Sequence, residues 1–525
     1  MSQLSLLDCT LRDGGYVNNW NFGYAVICGI LNKLVSSRVE YIECGYLSQK
    51  KGGCPDHTQF ADFDSINRVL PEKHADQKYA VMINFGEYAI EAIPAATDQS
   101  PVIRVCFHKK AADDAIAYCK QLKEKGYPVF VQPMASLNYT DMEFMELIDK
   151  VNAIQPDGFY IVDSFGVMEA RDLQRLAAIV DNNLDMHVQL GYHSHNNLQQ
   201  AYGNAKDLVE QHLRHDLILD ASVYGMGRGA GNLNMELFAS YLNKNYGKSY
   251  NTDPFLDIID EYLKPIFSEN FWGYSLPFYL SAQYNCHPNY AGYFADKNTL
   301  TNKSMRQLLA SLPDNVKNSY TAAYAEEYYQ AFQKRLVDDR KVLLDLKKAI
   351  ENREVLILAP GKSIESEKDR IMRYIASQNP VIVAVNIVPD GYCCDYLICT
   401  NEKRFRKLHL PEGCQLILSS NIAHEEEETG AWIINYSSYL SEDSLIADNP
   451  TLMLMQVFLD IGVKAVNIAG FDGYSPNPQD NYFHAGLSLG TSISLKLQKN
   501  RLIGNRVKEL GKSMKINFIT DSLYQ

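Results

Sequence analysis

Between residues 1 and 245, short apolar runs alternate eight times with amphipathic stretches, and no other feature constrains the fold of this chain as much. The runs are Ser5–Thr10, Val39–Tyr46, Tyr79–Asn84, Val102–His108, Val129–Met134, Phe159–Ser164, Val188–His193 and Leu217–Val223. Most are rich in Val, Ile, Leu, Tyr and Phe, as parallel strands buried on both faces should be. Helix-like segments such as Ala111–Lys125 and Ala170–Asp181 separate them, and Thr140-Asp141-Met142-Glu143 has the form of a capping box. Eight β/α units of this size predict a TIM barrel, whose active site lies at the C-terminal ends of its strands.

A chain of 525 residues predicts two to four domains at roughly 150 residues each. Residues 1–250 are expected to form the barrel and 251–345 a tyrosine-rich helical extension that completes its site. Asp338–Arg353 is strongly charged and reads as a helical connector. A second α/β pattern follows over 346–525: strand Glu354–Leu358, turn Ala359-Pro360-Gly361-Lys362-Ser363, helix Glu367–Ser377 and strand Val381–Asn386. Further strands are expected at Tyr396–Thr400, Gln415–Ser419, Ala431–Asn435, Ala465–Ala469 and Ile516–Thr520. The expected class is α/β: a (β/α)8 barrel with a helical extension, then a doubly wound domain with its own ligand crevice.

A formal net charge of −13 argues against nucleic acid or an anionic membrane as the main partner. No apolar stretch approaches the ~20 residues of a membrane span. Eleven cysteines lack CxxC spacing, and no signal peptide is read at the N-terminus. Reduced thiols and a cytoplasmic location are expected.

Three motifs lie just past apolar runs: Leu7-Asp8-Cys9-Thr10-Leu11-Arg12-Asp13-Gly14-Gly15, His193-Ser194-His195-Asn196-Asn197 and Gly225-Met226-Gly227-Arg228-Gly229-Ala230-Gly231-Asn232. Residues i and i+2 of a strand share a face, so His193 and His195 form a natural chelating pair. With Asp13 and the amide of Asn232 they make a mixed oxygen and nitrogen set suited to a divalent ion. Open positions on such an ion would accept the adjacent oxygens of a 2-oxo acid. Arg12, beside the carboxylate, would hold a developing negative charge.

The three motifs resemble those of the DRE-TIM metallolyases, the superfamily of 4-hydroxy-2-oxovalerate aldolase, HMG-CoA lyase and isopropylmalate synthase. The likeness covers roughly residues 4–300, and Leu217–Asn232 is most similar to the aldolase branch. The resemblance implies that Asp13, His193 and His195 hold Mn²⁺ or Mg²⁺, that Asn232 joins them as in the lyase branch, and that Arg12 stabilises an enolate. It implies pocket positions at Glu43 and Asp163-Ser164. Where the aldolases carry a histidine base, this chain has Tyr16, a poor base at its usual pKa of about 10. His287 or Tyr284, in the segment that follows the barrel, is the other source of proton transfer, and the base stays unassigned.

The expected function is a divalent-metal-dependent aldolase that joins or cleaves a 2-oxo acid and an aldehyde. A Claisen-type acyl-CoA lyase or synthase is the alternative within the superfamily. A third reading gives the C-terminal domain a nucleotide or nucleotide-activated group, in sugar or surface-polysaccharide synthesis. Homodimerisation is common among these barrels and is compatible with the sequence. Gly361-Lys362-Ser363 resembles the end of a P-loop, but Leu356 stands where its first glycine belongs. Gly361, Lys362, Ser363 and Asp472 are the ligand contacts expected of that domain.

Overall fold

The computed structural model describes residues 3–50, 52–335, 337–422, 430–484 and 493–525. It divides into two compact units, Met1–Ala291 and Gly292–Gln525. The boundary falls inside the segment expected as one helical extension.

In the first unit eight parallel strands form a closed barrel: β1 (Leu4–Asp8), β2 (Tyr41–Leu47), β3 (Lys78–Asn84), β4 (Val102–Phe107), β5 (Val129–Pro133), β6 (Gly158–Asp163), β7 (Gln189–Ser194) and β8 (Leu217–Ala221). Closure comes from β1, which pairs with β8 over Leu4–Asp8 and with β2 at Leu7 and Asp8. A two-residue strand, Gln59–Phe60, pairs with the end of β2. Each strand lies within two residues of its sequence expectation. The capping box forms: Thr140 Oγ1 accepts from Glu143 N at 3.3 Å, Glu143 Oε2 accepts from Thr140 N at 2.8 Å, and helix Asp141–Ile154 follows.

The barrel interior is layered by strand alternation. Leu7, Tyr41, Ala80, Val102, Phe130, Tyr160 and Ile218 form an apolar lower layer. Two residues further along their strands stand Glu43, Arg104, Gln132 and Asp220, all buried. Above them Tyr46, Met82 and Cys106 pack with Tyr16, Trp20 and Met134. A register shift in β2 between Glu43 and Tyr46 turns the latter into this upper layer. The larger core lies outside the strands, where helix faces such as Ile27, Ile30, Leu31 and Leu34 cover the barrel.

In the second unit seven parallel strands form an open sheet: β9 (Val355–Leu358), β10 (Val381–Val385), β11 (Tyr396–Cys399), β12 (Gln415–Ser419), β13 (Trp432–Ile434), β14 (Ala465–Ala469) and β15 (Lys515–Phe518). Their order is β13-β12-β11-β10-β9-β14-β15, so the winding reverses between β9 and β14. Buried clusters lie on both sheet faces, as a doubly wound sheet requires. Asp338–Arg353 is not a free connector: helix Arg340–Ile350 buries Leu346 and Ile350 in one of these clusters. Among the described residues no helix is long and apolar enough to cross a membrane.

Candidate active site

The loop after β1 turns sharply, with Arg12 N and Asp13 N both donating to Cys9 O, and this brings both side chains over the barrel mouth. His193 lies within β7, and His195 follows it. One ligand atom from each of Asp13, His193 and His195 lies within 4.8 Å of the others, and all three residues are buried. Asn232 arrives from the glycine loop after β8 and donates from Nδ2 to Asp13 Oδ2 at 2.9 Å. That approach explains Gly227. A Cβ there would stand 2.3 Å from Asn232 Nδ2 and 2.7 Å from Asp13 Oδ2.

A buried chain of charges holds this cluster from below. Arg12 Nη1 donates to Asp13 Oδ1 at 2.6 Å and its Nε to Glu43 Oε2 at 2.8 Å. Arg104 pairs with Glu43 Oε2 at 2.8 Å and also with Asp220 Oδ2. Asp220 Oδ2 in turn lies 2.9 Å from His193 Nδ1. With Nδ1 engaged there, His193 is left with Nε2 to offer a ligand. Burial works to raise the Asp13 carboxyl, but the facing His195, Arg12, His193 and Arg228 hold it well below the usual carboxylate range. Burial pushes His195 down to about 3, so it is neutral and able to donate a lone pair.

The donor set fits a hard or borderline divalent ion, with one carboxylate, two neutral imidazoles and an amide. Two buried atoms support that fit. Asn232 Oδ1 and His195 Nδ1 have no hydrogen-bond partner, a costly condition that a cation relieves. Arg12 Nη2 is likewise buried without a partner.

Residues 3–258 match the HMGL-like family model. A 4-hydroxy-2-oxovalerate aldolase of Desulfitobacterium hafniense is 26% identical over 274 residues, 51% of this chain and 79% of the relative. An oxaloacetate decarboxylase of Mycobacterium tuberculosis is 24% identical over 243 residues, 46% of this chain and 70% of the relative. A solved N-terminal domain from Bacteroides vulgatus is 27% identical with a TM-score of 0.47, covering 55% of this chain and 96% of that one.

The remaining residues expected around the barrel site occupy different stations. Glu43 is wholly buried behind Arg12, so it positions the guanidinium and does not line open space. Ser164 Oγ accepts from Ala135 N at 2.9 Å, and its carbonyl accepts from Arg228 Nη2 at 2.7 Å. Tyr16 OH lies 3.1 Å from Tyr46 OH, and burial raises its pKa further, which makes it a worse base than free tyrosine. His287, half-buried beside the Phe165 ring, is pushed well below its usual range by burial and then by Arg228. Tyr284 caps helix Leu276–Gln283, three residues before His287.

Two site residues escaped the sequence reading. Arg228 stands over the Tyr16 ring at 5.3 Å, with Nη1 3.4 Å from His287 Nε2 and Nη2 3.5 Å from His195 Nε2. It therefore links the expected proton-transfer residues to the ligand cluster. Arg104 was signalled by a charge inside the apolar run Val102–His108, since a buried arginine needs partners.

In the second unit, Lys362 pairs with Glu365 at 2.8 Å on the surface. Asp472 accepts from Ser363 N at 2.8 Å and from Ser363 Oγ at 2.5 Å. A Cβ on Gly361 would meet Gly470 O at 2.3 Å, so glycine is required for the two turns to touch.

Proposed function

We propose that this protein is a divalent-metal-dependent carbon–carbon lyase acting beside the carbonyl of a 2-oxo acid, in the aldol direction or its reverse. The observation that carries the reading is the convergence of Asp13, His193 and His195, with Arg12 locked against Asp13. Relatives named for 4-hydroxy-2-oxovalerate and for oxaloacetate, both 2-oxo acids, support the same donor class.

Asp13, His193 and His195 would hold the ion, with Asn232 Oδ1 as the further oxygen. Such an ion supplies positive charge that polarises the 2-oxo group. Arg12 presents its unpartnered Nη2 to the negative charge that grows on that oxygen as the bond breaks. Glu43 and Asp13 fix the guanidinium in place, so little reorganisation accompanies the step. His287, kept neutral by burial and by Arg228, is the proton acceptor for the hydroxyl of a cleaved aldol. Tyr16, whose ring lies under Arg228 and whose phenol stays protonated, serves as a hydrogen-bond donor.

The test is release of pyruvate from 4-hydroxy-2-oxo acids by metal-stripped protein, before and after Mn²⁺ is restored. Metal-dependent release is expected. No turnover of any such acid by the loaded protein contradicts the proposal.

A further inference from the structure

The C-terminal unit holds a crevice for which the barrel chemistry has no use. Strand order reverses between β9 and β14, and open parallel sheets bind ligands outside the carboxyl ends of their strands at such a reversal. A cavity opens at that place, between the turn at Gly361 and the turn running from Gly470 to Tyr474.

Its walls are chemically specific. Lys499 reaches it from helix Ile493–Leu510 and, among the described residues, makes no ion pair within bonding distance. Burial pushes this ammonium down, with only partial relief from Asp448. A second half-buried cation, Arg404, lines the same cavity. Asn386, at the end of β10, has its side-chain oxygen buried without a partner. Its φ of 64° is a left-handed conformation that asparagine tolerates at a strand end. Tyr474 and Tyr482, with ring centroids 6.4 Å apart, add flat apolar surface. The turn after β9 is not the anion site, because the Asp472 carboxylate already takes Ser363 N and Oγ there.

Half-buried cations that line one cavity with two aromatic rings and an acceptor that lacks a donor call for an anion joined to a polar ring. We propose that this crevice binds a nucleoside diphosphate, with its phosphates on Lys499 and Arg404, its base against Tyr474 and Tyr482, and a donor group on Asn386. The inference rests on the second unit alone and stands apart from the reading of the barrel.

Titration calorimetry on the full chain tests it, with ADP, GDP, CDP and UDP as probes and inorganic pyrophosphate as the comparison. At least one nucleotide should bind with a micromolar dissociation constant, and pyrophosphate at least about ten-fold more weakly. Lys499→Met should weaken that nucleotide about ten-fold or more, Lys499→Arg should restore most of it, and Asp13→Ala should leave it unchanged. Tyr482→Leu should weaken the nucleotide and not pyrophosphate, which reads the base contact separately should Lys499→Met fail to fold. Failure of all four nucleotides to bind, equal affinity for pyrophosphate, or undiminished binding by folded Lys499→Met overturns the proposal.

Discussion

Replacing Asp220 with asparagine tests whether the metal cluster depends on the charges beneath it. Asp220 has no access to solvent, and its Oδ2 is shared by Arg104 and by His193 Nδ1 at 2.9 Å. Burial works to raise its pKa, but Arg104 and His193 outweigh it, so the group is an anion. Asparagine keeps the shape and removes the charge that makes His193 a stronger ligand. Loss of such a partner costs about 10–100-fold in metal affinity, or ~1.4–2.8 kcal/mol. The fold should survive, because Arg104 keeps Glu43 at 2.8 Å and is not left alone. The stability loss should fall below the ~3–5 kcal/mol typical when a buried pair loses its only partner. Mn²⁺ titration of metal-stripped protein, read from the resonance of the free ion, measures the affinity, and circular dichroism verifies folding. A folded Asp220→Asn protein that binds Mn²⁺ as tightly as the parent would refute the reasoning.

Gly227→Ala should cut Mn²⁺ affinity by more than about ten-fold, because its Cβ would stand 2.3 Å from Asn232 Nδ2 and displace it; unaltered affinity in the same titration would show that Asn232 is not a ligand. Arg228→Met should move the acid limb of the pH–rate profile to higher pH, since Arg228 helps to keep His287 unprotonated. An unmoved limb would remove His287 from the proton transfer. Burial raises Asp8 to about 7, against about 3.9 in an unfolded chain. Between those values the folded protein keeps a proton that the unfolded chain has released, so stability falls as pH rises, by ~1.4 kcal/mol per unit. Asp8→Asn abolishes that dependence. Its urea midpoint should therefore gain on the parent from about pH 5 to about pH 7 and then level off, and a constant difference would contradict the assignment.

The strands were legible because parallel strands covered on both faces have almost no polar positions, so their apolar runs stand out from amphipathic helices. The same burial hid the support of the site. Arg104 and Asp220 are 116 residues apart, and only closure of the barrel and the phase of each strand bring them together. His193 and His195 were readable because their spacing is local, at the end of β7, and Asp13 because it closely follows the apolar run of β1. Glu43 looked like a pocket residue from its place in β2, and inward alternation puts it behind Arg12 instead. Arg228 lay in a glycine loop whose glycines drew the eye, and its reach to His287 depends on the turn geometry. In the second unit Lys362 looked like a phosphate ligand from its Gly-Lys-Ser setting. The sequence had no means of showing that Asp472 would fill that turn from β14, more than a hundred residues away.

The central claim is that Asp13, His193, His195 and Arg12 form a metal centre that stabilises charge on a 2-oxo acid. Deuterium exchange into the methyl group of pyruvate, followed by NMR in D₂O, tests it without knowledge of the aldehyde. Metal-stripped protein should exchange nothing, added Mn²⁺ or Mg²⁺ should restore exchange, and Asp13→Ala should abolish it. Exchange that persists in metal-stripped Asp13→Ala, or none from parent protein shown to hold the ion, would contradict the account.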